Sequence, residues 1–138
     1  MKRILIALTL LLSTYANAQV LKFKVEGLKD TTVHLAKYFG PKLYYADTAV
    51  SKNGYIQYDG SKHQPGMYAV VLPGSKYFEF IHDKEVVDMY VADQNDLIGS
   101  MKINKSVNND VFYKYITFMT EHKKKMTELN KQYEAAAE

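Results

Sequence analysis

The sequence predicts a mainly β fold, an antiparallel β-sandwich or open barrel of seven to eight short strands followed by one long C-terminal α-helix. Three observations lead there. Apolar and polar residues alternate with period two from Gln19 to about Ile103, Gly, Pro, Asn and Asp punctuate that stretch at short intervals, and the rhythm changes to a helical one after Ser106. The domain plan is a signal peptide over 1–18, an antiparallel β domain over 19–105 and a helix over 106–138.

Taken in order, Lys2 and Arg3, the apolar run Ile4 to Leu12, and Ala16-Asn17-Ala18 have the three parts of a Sec-type signal, with cleavage expected after Ala18. The apolar run is too short to cross a bilayer, for which about 20 residues are needed, so no stable membrane anchor is expected after cleavage. The expected location is the periplasm or the exterior. The remaining chain is long enough to bury one core. With Cys 0 it has no thiol redox centre and no thiolate metal site, which excludes a class of enzymes common among exported proteins. Without Lys2 and Arg3 the balance is 16 basic against 15 acidic residues, which is no nucleic-acid footprint. The run His122-Lys123-Lys124-Lys125 reads as a solvated helix face.

Leu21, Phe23 and Val25 alternate with Lys22, Lys24 and Glu26, the pattern of a strand with one face on a core and one in water. Val33 and Leu35 form the next strand, and Gly40-Pro41 breaks the chain. Leu43 to Val50 and Tyr55 to Tyr58 flank Asn53-Gly54, a type I′ turn pair, and so read as a hairpin. Met67 to Leu72 is apolar on both parities and is expected to be covered on both faces. Tyr77 to Ile81, Val86 to Ala92 and Leu97 to Ile103 complete the set.

After Asn108 or Asn109, the expected helix caps, Val111, Tyr115, Phe118, Met119, Met126, Leu129 and Tyr133 recur at three-, four- and seven-residue steps. That stripe is expected to pack on the sheet, on a partner, or on a further domain. Glu134 to Glu138 carries no helix stop signal, so the segment reads as a linker cut short.

No catalytic constellation stands out. His34, His63, His82 and His122 fall on separate elements without ligand spacing and read as surface imidazoles. Asp83, Glu85, Asp88, Asp93 and Asp96 read as turn formers before acid-base groups or calcium ligands. No cofactor is expected. The count of Tyr 12 is high, and Tyr44, Tyr45, Tyr55, Tyr58 and Tyr68, with Tyr77 and Tyr90, lie on or beside expected strands. β propensity accounts for the enrichment, and an exposed row of such rings is the alternative, a platform for glycans or peptides.

The segments Phe23-Lys24-Val25-Glu26-Gly27-Leu28, Thr32-Val33-His34-Leu35-Ala36, Asp47-Thr48-Ala49-Val50 with Asn53-Gly54, and Pro65-Gly66-Met67-Tyr68 together carry a family likeness. From about Val20 to Met119 the chain resembles the N-terminal domain of unknown function of exported thioredoxin-like (TlpA-type) thiol-disulfide oxidoreductases of Bacteroidetes-type bacteria. The resemblance implies a β-rich module, then a helical segment, then a thioredoxin fold with a Cys-x-x-Cys pair. With no cysteine here, the family's catalytic residues map onto no position. The expectation is therefore a non-catalytic accessory module for substrate recruitment or dimer contacts, its partner a thioredoxin-like domain or its own copy through the C-terminal helix.

Overall fold

The computed structural model describes residues 19–136, so the signal segment 1–18 and the last two residues of the expected helix lie outside the described residues. Eight strands build two four-stranded sheets: β1 (Val20–Val25), β2 (Thr32–Phe39), β3 (Lys42–Val50), β4 (Tyr55–Asp59), β5 (Gly66–Val71), β6 (Tyr77–His82), β7 (Val87–Val91) and β8 (Met101–Lys105). The first sheet has the order β4-β1-β7-β8 and the second β3-β2-β5-β6. They face one another as an open sandwich, and α1 (Val107–Ala136) follows.

The alternation read from the sequence decides which side chains meet between the sheets. Leu21, Phe23 and Val25 face inward from β1, Val33 and Leu35 from β2, and Phe78 and Phe80 from β6. The ring of Phe23 lies 5.6 Å from that of Phe78 and 4.9 Å from that of Phe80, which ties the two sheets together at the centre. β5 is a central strand of its sheet, and Tyr68, Ala69 and Val70 are buried there in succession. That agrees with its apolar run on both parities.

Several expectations need correction. First, β3 and β4 are not a hairpin. The Asn53-Gly54 turn forms, with positive φ at both residues and paired hydrogen bonds between Lys52 and Tyr55, but the pairing stops there. β4 crosses to the other sheet because Ile56 and Tyr58 reach the core when β4 runs against β1. Gly54 is required at that crossing, since its N–H neighbours and carbonyl lie so near β1 that a Cβ would fall 2.3 Å from the Val25 carbonyl oxygen. β3 pairs with β2 across the two-residue turn Gly40-Pro41, where Gly40 has φ 58°.

Second, the sheets are not wholly antiparallel, because β1 and β7 run parallel from Leu21↔Val87 to Val25↔Val91. The long path through the second sheet between them supplies the crossover that parallel strands need. Third, the last strand begins at Met101 and not at Leu97, since Asp96 Oδ1 accepts the Gly99 N–H and holds Leu97 to Ser100 in a turn. Fourth, His82 is no surface imidazole: it is 0 % exposed, its Nε2 lying 3.0 Å from the Gly60 carbonyl oxygen and 3.2 Å from that of His63.

The helix is attached at its first two turns. Ser106, not Asn108 or Asn109, caps it, its Oγ accepting the Asn109 N–H at 3.1 Å. Glu85 accepts from the Ser106 hydroxyl and the Val107 N–H. Asn109 is thereby free to face β6, the open edge of its sheet. Its Oδ1 accepts the Ile81 N–H at 2.7 Å and its Nδ2 donates to the Ile81 carbonyl at 2.8 Å, so one amide side chain does the work of a neighbouring strand. One turn on, the Tyr113 hydroxyl donates to the Glu79 carbonyl at 2.8 Å and its ring joins the core.

Replacing Asn109 with Ala leaves both Ile81 groups without a partner in a half-buried setting. The expected loss is about 3 kcal/mol by urea unfolding, with faster hydrogen exchange at the Ile81 amide. Alkali acts on Tyr113 of this seam and on two phenols of the sandwich. Burial pushes the phenols of Tyr113 and Tyr58 well above their ordinary value of 10.0, and the Glu79 carboxylate accepting from Tyr38 pushes that phenol up to about 12. The unfolded chain releases these protons near 10 while the folded chain keeps them, so stability is full below pH 10 and falls as pH rises through 10 to 12. Tyr113→Phe should flatten that alkaline fall, read as the midpoint of unfolding against pH.

Candidate interaction surfaces

The five tyrosines of the expected platform do not share a surface. Tyr58 and Tyr68 are 4 % and 1 % exposed, the Tyr58 hydroxyl donating to the Val33 carbonyl and that of Tyr68 to the Gln64 carbonyl. Both are core residues with a satisfied polar tip, and neither presents a ring to a ligand. Tyr44 and Tyr45 are exposed, but as neighbours on β3 they project to opposite sides. Tyr45 rests on His34, ring centroids 4.7 Å apart, on the outer face of the second sheet.

Tyr55 belongs to the outer face of the other sheet, where the Lys24 and Lys22 ammonium groups lie 4.7 and 5.7 Å from its ring centre. Lys22 also pairs with Asp88 at 3.2 Å, and Asn104 donates to the same carboxylate. Tyr90 completes this face with Lys102 near its ring. It is a solvated lattice of charges and rings in which cations already occupy the aromatic faces. A cleft of about 510 Å³ between β3 and β4, lined by Lys22, Thr48, Val50, Lys52, Tyr55 and Gln57, is the space nearest Tyr55.

The carboxylates are spent on structure. Glu85 caps α1, Asp83 accepts from Asn108, Asp88 holds Lys22 and Asn104, and Asp93 and Asp96 close turns on Asn95 and Gly99. His63 lies 3.0 Å from Asp47 Oδ2, and His34 hydrogen-bonds Thr48. Among the described residues, no three His, Asp or Glu side chains are grouped to share an ion.

A long series of exposed apolar side chains lies on α1. Its contact with the sandwich uses Asn109, Phe112, Tyr113 and Ile116, a face that the sequence reading missed because an amide and one phenol anchor it. The expected stripe of Val111, Tyr115, Phe118, Met119, Met126, Leu129 and Tyr133 lies elsewhere, each 47 to 78 % exposed. At about 100° of rotation per residue, Tyr115 and Phe118 point roughly opposite to Asn109 and Tyr113. The stripe therefore does not pack on the sheet. Phe118, Lys114 and Thr117 form one wall of a groove of about 380 Å³ whose other wall is Met101 and Ile103 of β8. Beyond Ile116 every described side chain of the helix is exposed. No described helix is long and apolar enough to cross a membrane.

Residues 20–112, the sandwich and the first turn and a half of the helix, match a family described as a domain of unknown function, DUF4369. The chain belongs to the DUF4369 family. No curated protein and no solved structure matches it. The match stops within the helix, so most of the exposed stripe of this DUF4369 protein lies outside the matched segment.

Because the stripe packs on neither sheet, Phe118→Asp and Leu129→Asp should leave the unfolding free energy of the single chain, measured at high dilution, within about 0.5 kcal/mol of wild type. A loss of several kcal/mol in either would show that the stripe is packed.

Proposed function

We propose that this DUF4369 protein is a non-catalytic periplasmic accessory module, in which the sandwich is a rigid base and α1 is the docking element. In the thioredoxin-like (TlpA-type) oxidoreductases of Bacteroidetes-type bacteria that the sequence resembles, such a module precedes the thiol chemistry. The same role here is to recruit substrate or to hold a thioredoxin-like partner. The observation that carries this reading is the continuous apolar stripe of α1, held clear of the sandwich by Asn109 and Tyr113. Exposed apolar runs of this extent mark interaction surfaces. The leader pattern of residues 1–18 and the count of Cys 0 support export and a non-thiol role.

The glycan or peptide platform draws less support, since two of its five rings are buried and the rest face different ways. The test adds the purified protein to a thioredoxin-like oxidoreductase acting on a disulfide-bonded protein. Alone it should reduce nothing; added, it should raise turnover several-fold, and Phe118→Asp with Leu129→Asp should remove that gain. Intrinsic reductase activity, or equal effects of wild type and the double variant, would overturn the reading. N-terminal sequencing of the periplasmic form should begin at Gln19.

A further inference from the structure

The exposed stripe has an internal symmetry. Six of its residues, Val111, Tyr115, Phe118, Met126, Leu129 and Tyr133, together with His122 on the same side of the helix, follow one another at steps of four, three, four, four, three and four residues, and Met119 lies beside this series. That series reads the same in both directions about His122. Seven positions lie along one side of a straight helix, since four-four-three spacing is an 11-residue repeat and keeps pace with the α-helical turn. From Val111 to Tyr133 the seam is about 33 Å long at 1.5 Å per residue.

We propose that the occupant of this face is α1 of a second copy of the chain, running antiparallel with the two-fold axis at His122. This rests on the reading of α1 as the docking element and names what it docks. A two-fold axis there sets Val111 against the second copy's Tyr133, Tyr115 against Leu129, Phe118 against Met126, and His122 against itself. An isologous contact requires a surface complementary to itself, and a palindromic spacing supplies one. A parallel pair gains nothing from the palindrome.

The charges beside the seam agree. Lys114, which pairs with Asp110 at 2.6 Å, lies with Glu121, Lys125 and Glu128 along one flank of the stripe, and all four are exposed. In the antiparallel pair this flank meets its own copy, which brings Lys114 beside Glu128 and Glu121 beside Lys125, twice each. Opposite charges at such flanking positions set partner and orientation. Phe118 and His122 are already in ring contact, centroids 4.1 Å apart, so the middle of the seam is partly ordered before pairing.

The attachment of the helix leaves room for the pairing. Asn109, Tyr113 and Ile116 hold the sandwich on the other side, so each sandwich sits at one end of a two-helix rod. Covering these seven side chains removes roughly 700 Å² per copy at about 100 Å² each, close to the ~800 Å² per partner of a stable specific interface. The groove between α1 and β8 adds a shelf beside Phe118 for the incoming helix.

Sedimentation of the purified protein tests this, and dimer is the expected species at ~100 µM. Phe118→Asp should raise the dimer Kd at least roughly tenfold. Lys125→Glu should weaken the dimer and Glu121→Lys added to it should restore it. Because the chain has Cys 0, introduced thiols report the register without background. His122→Cys should link to itself through a short bismaleimide. Val111→Cys and Tyr133→Cys should link only when mixed, not alone. A monomer at that concentration, or Val111→Cys linking to itself, overturns the antiparallel dimer. If the protein is monomeric while the double Asp variant still abolishes its gain with a thioredoxin-like enzyme, self-pairing fails and the docking role stands.

Discussion

An edge strand in a sandwich exposes a row of N–H and C=O groups that water or a partner must satisfy. β6 gives the groups of Ile81 to the amide of Asn109 and the carbonyl of Glu79 to the phenol of Tyr113. Three hydrogen bonds thus cover part of the edge and fix the rotation of α1 about its axis. Everything distal follows from that rotation: with Asn109 and Tyr113 turned to β6, the stripe from Val111 to Tyr133 must face away. The cap contributes as well, because Ser106 takes the capping role that would otherwise tie up Asn109.

Many polar groups of the sheets are paired with one another. Their acidic residues close turns, cap the helix or neutralise lysines, and such solvated pairs are worth little individually. The outer face with Tyr55 and Tyr90 is a surface in which lysines already lie over the rings. What the fold does provide is stiffness. A core crossed by Phe23, Phe78 and Phe80 carries a 30-residue helix anchored only at its base.

The strand positions were legible because a half-buried pleat writes its two faces into alternate residues, as Leu21-Lys22-Phe23-Lys24-Val25 does plainly. Turn chemistry was legible too: Asn53-Gly54 adopts the positive φ pair that its composition demands. The pairing of strands was not. A turn specifies a reversal of the chain, but whether the following strand stays in the same sheet depends on which backbone awaits it, and β1 awaited β4. Tyr58, Tyr68 and His82 were misjudged for a related reason. A phenol or imidazole is tolerated inside when a carbonyl lies at its tip; those of Val33 and Gly60 arrive from distant parts of the chain, and that of Gln64 from four residues before Tyr68.

The sequence by itself determined the sheet-then-helix order, the absence of cysteine from these 138 residues and the existence of an apolar stripe, since each depends on residue type and local period alone. Only the tertiary structure decided that β1 and β7 run parallel, that two of the five tyrosines lie inside, and that the stripe is left uncovered. Those depend on which backbone groups and side chains meet across long stretches of chain. One buried amide at Asn109, polar and unremarked by any hydrophobic pattern, chose which side of the helix is hidden.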